Sequence, residues 1–174
     1  MQVGSIGTTV IINRYDIVGR LAASFFIMYD SRDKPNNGWT KDSYKKGIEG
    51  EIGFYELIRE YIEDFPEPDL TQKRRGDGGV DFLYNKIAIQ VKTNCKEDPK
   101  RIEHLKLSLR DIKRAHVFIL MSICGTDIKF EGWMRKDNVF EVLMDGIYKT
   151  PYVPNKHLDK SMSALVTFLN LTSY

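Results

Sequence analysis

Residues 115–124, AHVFILMSIC, form one almost unbroken apolar run, followed at once by turn residues. In a β-strand successive side chains point to opposite faces, so a strand apolar at every step has two faces to bury. That demands a sheet covered on both sides, which is an α/β solution. The flanking segments supply the covers. A helix is expected from about Tyr44 or Gly47 to Asp64, ended by FPEPD, whose prolines cannot continue it. Residues 101–114 read as a second helix, with Ile102, Leu105, Leu109 and Ile112 on one stripe. DIKFEGWMRK reads as a further strand, NVFEVLMDG as a short helix and the tail from Leu158 as helical. Near the start, TTVIINRY is strand-like, and DIVGRLAASFFIMYD reads as a helix with Asp16 as N-cap. The expectation is one α/β domain over residues 1–174 with a mixed central sheet flanked by helices.

The chain is long enough for one sizeable core, and its 42% hydrophobic and 29% charged residues argue against disorder. The formal net charge of +2 gives no global signal for nucleic acid, so any basic surface is local. Cys95 and Cys124 form no CxxC pair, which fits a reducing, cytoplasmic setting. No secretory signal is visible. LAASFFIMY falls well short of the roughly 20 residues of a membrane span and reads as part of a core helix, so no membrane partner is expected.

GDGGVDFLYNKIAIQVKT, residues 76–93, reads as strand, tight turn, strand. With Asn85 and Lys86 as a two-residue turn, Tyr84 faces Ile87, Phe82 faces Ile89 and Asp81 faces Gln90. Directly opposed residues have Cβ atoms about 4.5–5.5 Å apart, so a carboxylate and an amide oxygen would come within reach of one cation. Lys92 lies on the Gln90 face, one pleat further on. The helix GIEGEIGFYELIREYIEDF brings acids. Ile48, Ile52, Tyr55, Ile58, Ile62 and Phe65 share one face at about 100° per residue. Glu49, Glu56, Glu60 and Glu63 fall opposite, where water is expected. Glu51 falls inside the apolar stripe, where an unpaired charge is costly. Its first-turn position, a metal ion or the lysine would compensate it. Glu49 and Asp77 are the rival acids. Helix phase disfavours Glu49, and the glycines around Asp77 favour a loop.

Oxygen donors without His or Cys suit Mg²⁺ or Mn²⁺ rather than zinc. Such a site beside a lysine is suited to phosphodiester cleavage, with the lysine orienting water or steadying developing charge.

GIEGE on an amphipathic helix, then GDGGVDFL, then IAIQVKT resembles the core of the PD-(D/E)xK nuclease superfamily. The match covers about residues 44–125. It implies a restriction-endonuclease-like core over about 44–135, with an N-terminal extension 1–43 and a C-terminal extension 136–174. It also implies cleavage of DNA with Mg²⁺. Glu51 matches the helix acid, Asp81 the motif Asp, and Gln90 and Lys92 the final pair. Val91 is implied to lend its backbone carbonyl to the metal. Val80 stands where proline is common, and Gln90 replaces the usual acid, a Q-x-K form resembling the Mrr-like branch. A neutral amide still ligates through oxygen but removes one negative charge.

Lys73, Arg74, Arg75, Lys96, Lys100 and Arg101 flank the motif, followed by Lys106, Arg110, Lys113 and Arg114. They are candidates for phosphate contacts, which position a duplex without reading its bases. Two other readings stand beside the endonuclease. One is a non-catalytic DNA-binding protein that keeps the fold. The other is a Holliday junction resolvase, for which the resemblance implies a homodimer. His104, His116 and His157 are scattered, with His116 expected in the core. Cys95, expected in a loop, has no nucleophile partner at a recognisable spacing, and Trp133 reads as core or interface. No Walker or GxGxxG motif calls for a nucleotide cofactor.

Overall fold

The computed structural model describes residues 11–13, 41–68, 80–95, 104–144 and 150–171. In chain order these form β1 (Ile11–Asn13), α1 (Lys41–Ile58), β2 (Phe82–Tyr84), β3 (Ile87–Cys95), β4 (His104–Lys106), α2 (Leu109–Arg114), β5 (Val117–Cys124), β6 (Asp127–Arg135), α3 (Lys136–Val142), β7 (Tyr152–Pro154) and α4 (Met162–Leu171). The sheet is five-stranded, in the order β1-β6-β5-β3-β2. Among the described residues, only β3 and β5 of this sheet run parallel. Their connection carries β4 and α2, as a parallel pair requires a crossover. β4 and β7 form a separate two-stranded ribbon. The mixed α/β architecture is therefore the one the apolar run at 115–124 demands.

β5 is buried from Val117 to Ile123. On one face, Val117, Ile119 and Met121 join Ile89, Val91 and Ile128 beneath α1 and α4. On the other, Phe118 and Leu120 pack with Ile112 of α2, Val139 of α3 and Leu105 and Val153 of the ribbon. α1 rests on its face through glycine. A Cβ on Gly50 would lie 1.8 Å from Thr93 Oγ1, and one on Gly53 would lie 2.7 Å from Ile128 Cγ2. Neither position accepts a side chain without displacing the helix or its neighbour.

Several boundaries differ from the sequence reading, each for a local reason. α1 ends at Ile58 rather than Asp64. Tyr61 and Ile62 N–H both turn back to Ile58 O, and the chain still buries Ile62 and Phe65. The helix expected over 101–114 begins only at Leu109. Ser108 starts it with a capping box, and the residues before it alternate as strand, with Leu105 and Leu107 buried around exposed Lys106. Leu109 is consequently exposed rather than part of an inner stripe. The short helix starts two residues early, at Lys136. The tail has a 3-10 turn at Asn155–His157 before α4. β7 was not foreseen. Cys95 closes β3 rather than lying in a loop. Trp133 is core, its Nε1–H donating to Ser161 O at 3.2 Å. His116 is exposed, yet its Nδ1 accepts from Ala88 N–H at 2.9 Å. No helix among the described residues is long and apolar enough to cross a membrane. The expected helix at residues 16–30 lies outside the described residues.

Candidate functional site at the end of the hairpin

The hairpin has the expected register, pairing Phe82 with Ile89, Leu83 with Ala88 and Tyr84 with Ile87. Asn85 and Lys86 take φ of 48° and 67°, the two positive values that a type I′ turn needs. Lys86 accepts a conformation unfavourable for a residue with a Cβ. Its cost is met by the strands the turn joins.

β2 stops at Phe82 while β3 continues to Cys95. Asp81 N–H still donates to Ile89 O at 2.9 Å, but the next rung has no backbone partner from β2. The Asp81 side chain fills that place, its Oδ2 accepting from Val91 N–H at 2.6 Å. The same oxygen accepts from Gln90 Nε2 at 2.5 Å, and this amide also donates to Val91 O at 3.2 Å. Asp81, Gln90 and Val91 are thus brought together. Gln90 is 5% exposed, and its Oε1 has no hydrogen-bond partner. An orphaned buried acceptor costs about 1–3 kcal/mol, so natural structures rarely keep one without a reason.

The two ends of a carboxamide have nearly the same shape. Turning this one over would set Gln90 Oε1 beside Asp81 Oδ2 and Val91 O. Three oxygens around one point repel unless a cation lies among them. The NH₂ of Gln90 now fills that point, donating to two oxygens as a small cation would attract them. The donors are a carboxylate, an amide oxygen and a backbone carbonyl, which fit Mg²⁺ or Mn²⁺. Among the described residues, no three His, Cys, Asp or Glu side chains group as metal ligands. The amide and carbonyl oxygens are therefore the relevant complement to Asp81.

Lys92 lies on the Gln90 face, 30% exposed at its side chain, with Nζ 3.1 Å from Asp111 Oδ2. Asp111 is 8% exposed and sits in the first turn of α2. Its Oδ2 also accepts from Ser108 N–H at 2.8 Å, and its own N–H donates to Ser108 Oγ at 3.1 Å. Asp111 is a site residue that the apolar pattern does not reveal. The signal was Ser108-Leu-Arg-Asp111, the S-x-x-acid spacing of a capping box, hidden inside a helix assumed to begin earlier.

α1 packs on the other face of β3, against Ile89, Val91 and Thr93. Glu51 is half-buried there. Glu49 corrects the helix phase: it is fully buried, not on the water face, with Lys45 Nζ 3.9 Å from its Oε1. The apolar count misjudged the inner face because Gly50 and Gly53 carry no hydrophobic signal. Phase still separates the two acids. Glu51 shares a flank with Phe54 and Ile58, and the Phe54 ring lies 5.6 Å from Phe82, the neighbour of Asp81. Glu49 shares the opposite flank with Gly53, which faces β6. Glu51 therefore lies on the flank of α1 nearer the hairpin, and Glu49 on the flank nearer β6.

Around α2, Lys106, Arg110, Lys113 and Arg114 are exposed. Lys73, Arg74, Arg75, Lys96, Lys100, Arg101 and the rival acid Asp77 lie outside the described residues. Burial raises the Cys124 thiol above its usual pKa, against the pull of Lys129, which disfavours a thiolate there. Comparison with known proteins finds no matching family model, no matching curated protein and no matching solved structure.

Proposed function

We propose that this chain is a Mg²⁺- or Mn²⁺-dependent endonuclease that hydrolyses DNA phosphodiester bonds, with a restriction-endonuclease-like site of the PD-(D/E)xK kind. The observation that carries the reading is the orphaned Oε1 of buried Gln90, whose amide bridges Asp81 and the Val91 carbonyl. Asp81, Gln90 and Val91 would hold the ion, while Glu51 stands on α1, against the other face of β3. A bound divalent ion would supply Lewis-acid polarisation of a phosphate oxygen and a more acidic water.

The protein's own groups account for the rest. Asp81 is held by Val91 N–H, so its carboxylate is oriented before substrate arrives. Lys92 presents a cation on the Gln90 face, where negative charge grows as water attacks phosphorus. The new oxygen–phosphorus bond forms as the ester bond breaks. The water gives up its proton to solvent, and the departing oxygen gains one. Lys106, Arg110, Lys113 and Arg114, exposed on and next to α2, offer phosphate contacts.

The test is nicking of supercoiled plasmid with Mg²⁺ or Mn²⁺, comparing the wild-type chain with Asp81→Ala and Lys92→Ala. The expected result is loss of at least about 100-fold in each variant, as for removal of a group that stabilises developing charge. Equal nicking by all three proteins removes the site. A second reading, DNA binding without catalysis, is favoured by the neutral Gln90. It requires salt-dependent binding that is indifferent to metal.

A further inference from the structure

A capping-box acid normally serves its own helix. Its carboxylate accepts from the N-cap N–H, and the pair sits at the surface. Asp111 does this for Ser108 but differs in two ways. It is 8% exposed, and its capping oxygen is also the one that Lys92 Nζ approaches to 3.1 Å. A lysine on a four-carbon stem otherwise extends its ammonium towards water. Here that flexible stem is tied to the first turn of a helix packed on the same face of the sheet through Ile112. We propose that Asp111 is the positioning residue for Lys92: its carboxylate, which accepts from Ser108 N–H in the first turn of α2, holds the ammonium on the Gln90 face, so that it meets the reacting phosphate without searching for its place.

This inference rests on the nuclease reading of the same site. It differs in assigning the crossover connection a part in the reaction. The helix that makes the parallel β3–β5 pairing possible also carries the anchor for the strand's cation. Lys92 is two residues from Gln90, and Asp111 lies nineteen positions further along the chain than Lys92. Only the crossover brings anchor and lysine together.

Two substitutions separate positioning from capping. Asp111→Asn keeps an oxygen that can accept from Ser108 N–H but removes the charge facing Lys92. Ser108→Ala removes the Oγ acceptor but leaves the Asp111–Lys92 pair. Steady-state nicking of supercoiled plasmid with Mn²⁺ is measured on the full chain, with Asp81→Ala as the blank. In Asp111→Asn the expected result is kcat lowered about 10- to 100-fold with KM within about twofold, as a displaced catalytic group produces. Ser108→Ala is expected to keep kcat within about twofold.

A readout independent of turnover is the ¹H–¹⁵N ammonium signal of Lys92, identified by its absence from Lys92→Met. It is expected in the wild type, broadened by Mn²⁺, and lost in Asp111→Asn. If Asp111→Asn does not fold, Asp111→Glu serves. It keeps charge and cap on a longer arm, and kcat is again expected to fall. Wild-type kcat in the folded Asp111 variant, while Asp81→Ala is inactive, overturns this inference and leaves the nuclease standing. A Lys92 signal unaffected by Mn²⁺ also overturns it. No nicking by the wild-type chain overturns both.

Discussion

The two faces of β3 solve different problems with alternate residues of one strand. Ile89, Val91 and Thr93 face α1, and the contact is so close that glycine is required at Gly50. Ala88, Gln90 and Lys92 face the other way. There an amide oxygen is left without a partner, and a lysine is held by a carboxylate from α2. The first face is the arrangement expected of stability alone: largely apolar and complementary in shape. The second carries buried polar atoms that stability alone would not select. The strand tolerates them because its other face, and all of β5 beside it, hold its position.

This contrast predicts which substitutions damage which property. Asp81→Ala belongs to the polar face. It is expected to remove nicking by about 10³-fold, or about 4 kcal/mol of transition-state stabilisation at 1.36 kcal/mol per tenfold, while leaving the fold intact. Ile89→Ala belongs to the packed face. It removes a fully buried side chain and is expected to destabilise by about 2–5 kcal/mol. Urea unfolding followed by circular dichroism, with nicking measured on the folded fraction, reads both. The contrast breaks if Asp81→Ala unfolds more readily than Ile89→Ala.

A sharper version exchanges charge on the polar face alone. Gln90→Glu places a second carboxylate where an amide now donates to Asp81 Oδ2 at 2.5 Å. Without metal the like charges repel and a donor is lost, so stability is expected to fall by about 1–3 kcal/mol. With Mn²⁺ the loss should be recovered, because ligand binding to the native state stabilises it by mass action. Thermal melts with and without Mn²⁺ measure this. A Gln90→Glu protein that melts like the wild type in both conditions denies that this face seats a cation.

Much of this face was legible in the sequence. Alternation gives the hairpin register, with Lys92 on the Gln90 side, but Asp81 lies beyond the end of β2 and meets Gln90 through its side chain rather than as a strand pair. The apolar run at 115–124 required a covered central strand. What escaped lay where hydrophobicity is silent. Gly50 and Gly53 let α1 approach the sheet closely, but a glycine counts for nothing in an apolar stripe. A phase taken from Tyr55 and the isoleucines therefore puts Glu49 on the water side. Asp111 escaped because Ile102, Leu105, Leu109 and Ile112 happen to fit a helical period. In fact Leu105 belongs to a strand and Leu109 faces solvent. Ser108 marks the true start, and a cap fixes a boundary that periodicity only approximates.

The smallest effect tests whether cap and site are separable. Ser108→Ala removes the acceptor of Asp111 N–H, one half of a reciprocal pair, and leaves Ser108 N–H donating to Asp111 Oδ2. N-cap substitutions of this kind cost about 0.5–2 kcal/mol, typically about 1. Because α2 has only six residues, the loss falls on a helix with little stability of its own. Its docking through Ile112 is what keeps it formed. The expected signature is a lower urea midpoint with an unchanged slope, since the surface exposed on unfolding stays the same. Nicking per folded molecule should stay near wild type, because the carboxylate facing Lys92 is still anchored by Ser108 N–H and by the helix itself. A loss of nicking in Ser108→Ala as deep as that expected for Asp111→Asn would mean that the hydroxyl, and not the carboxylate, keeps the lysine in place.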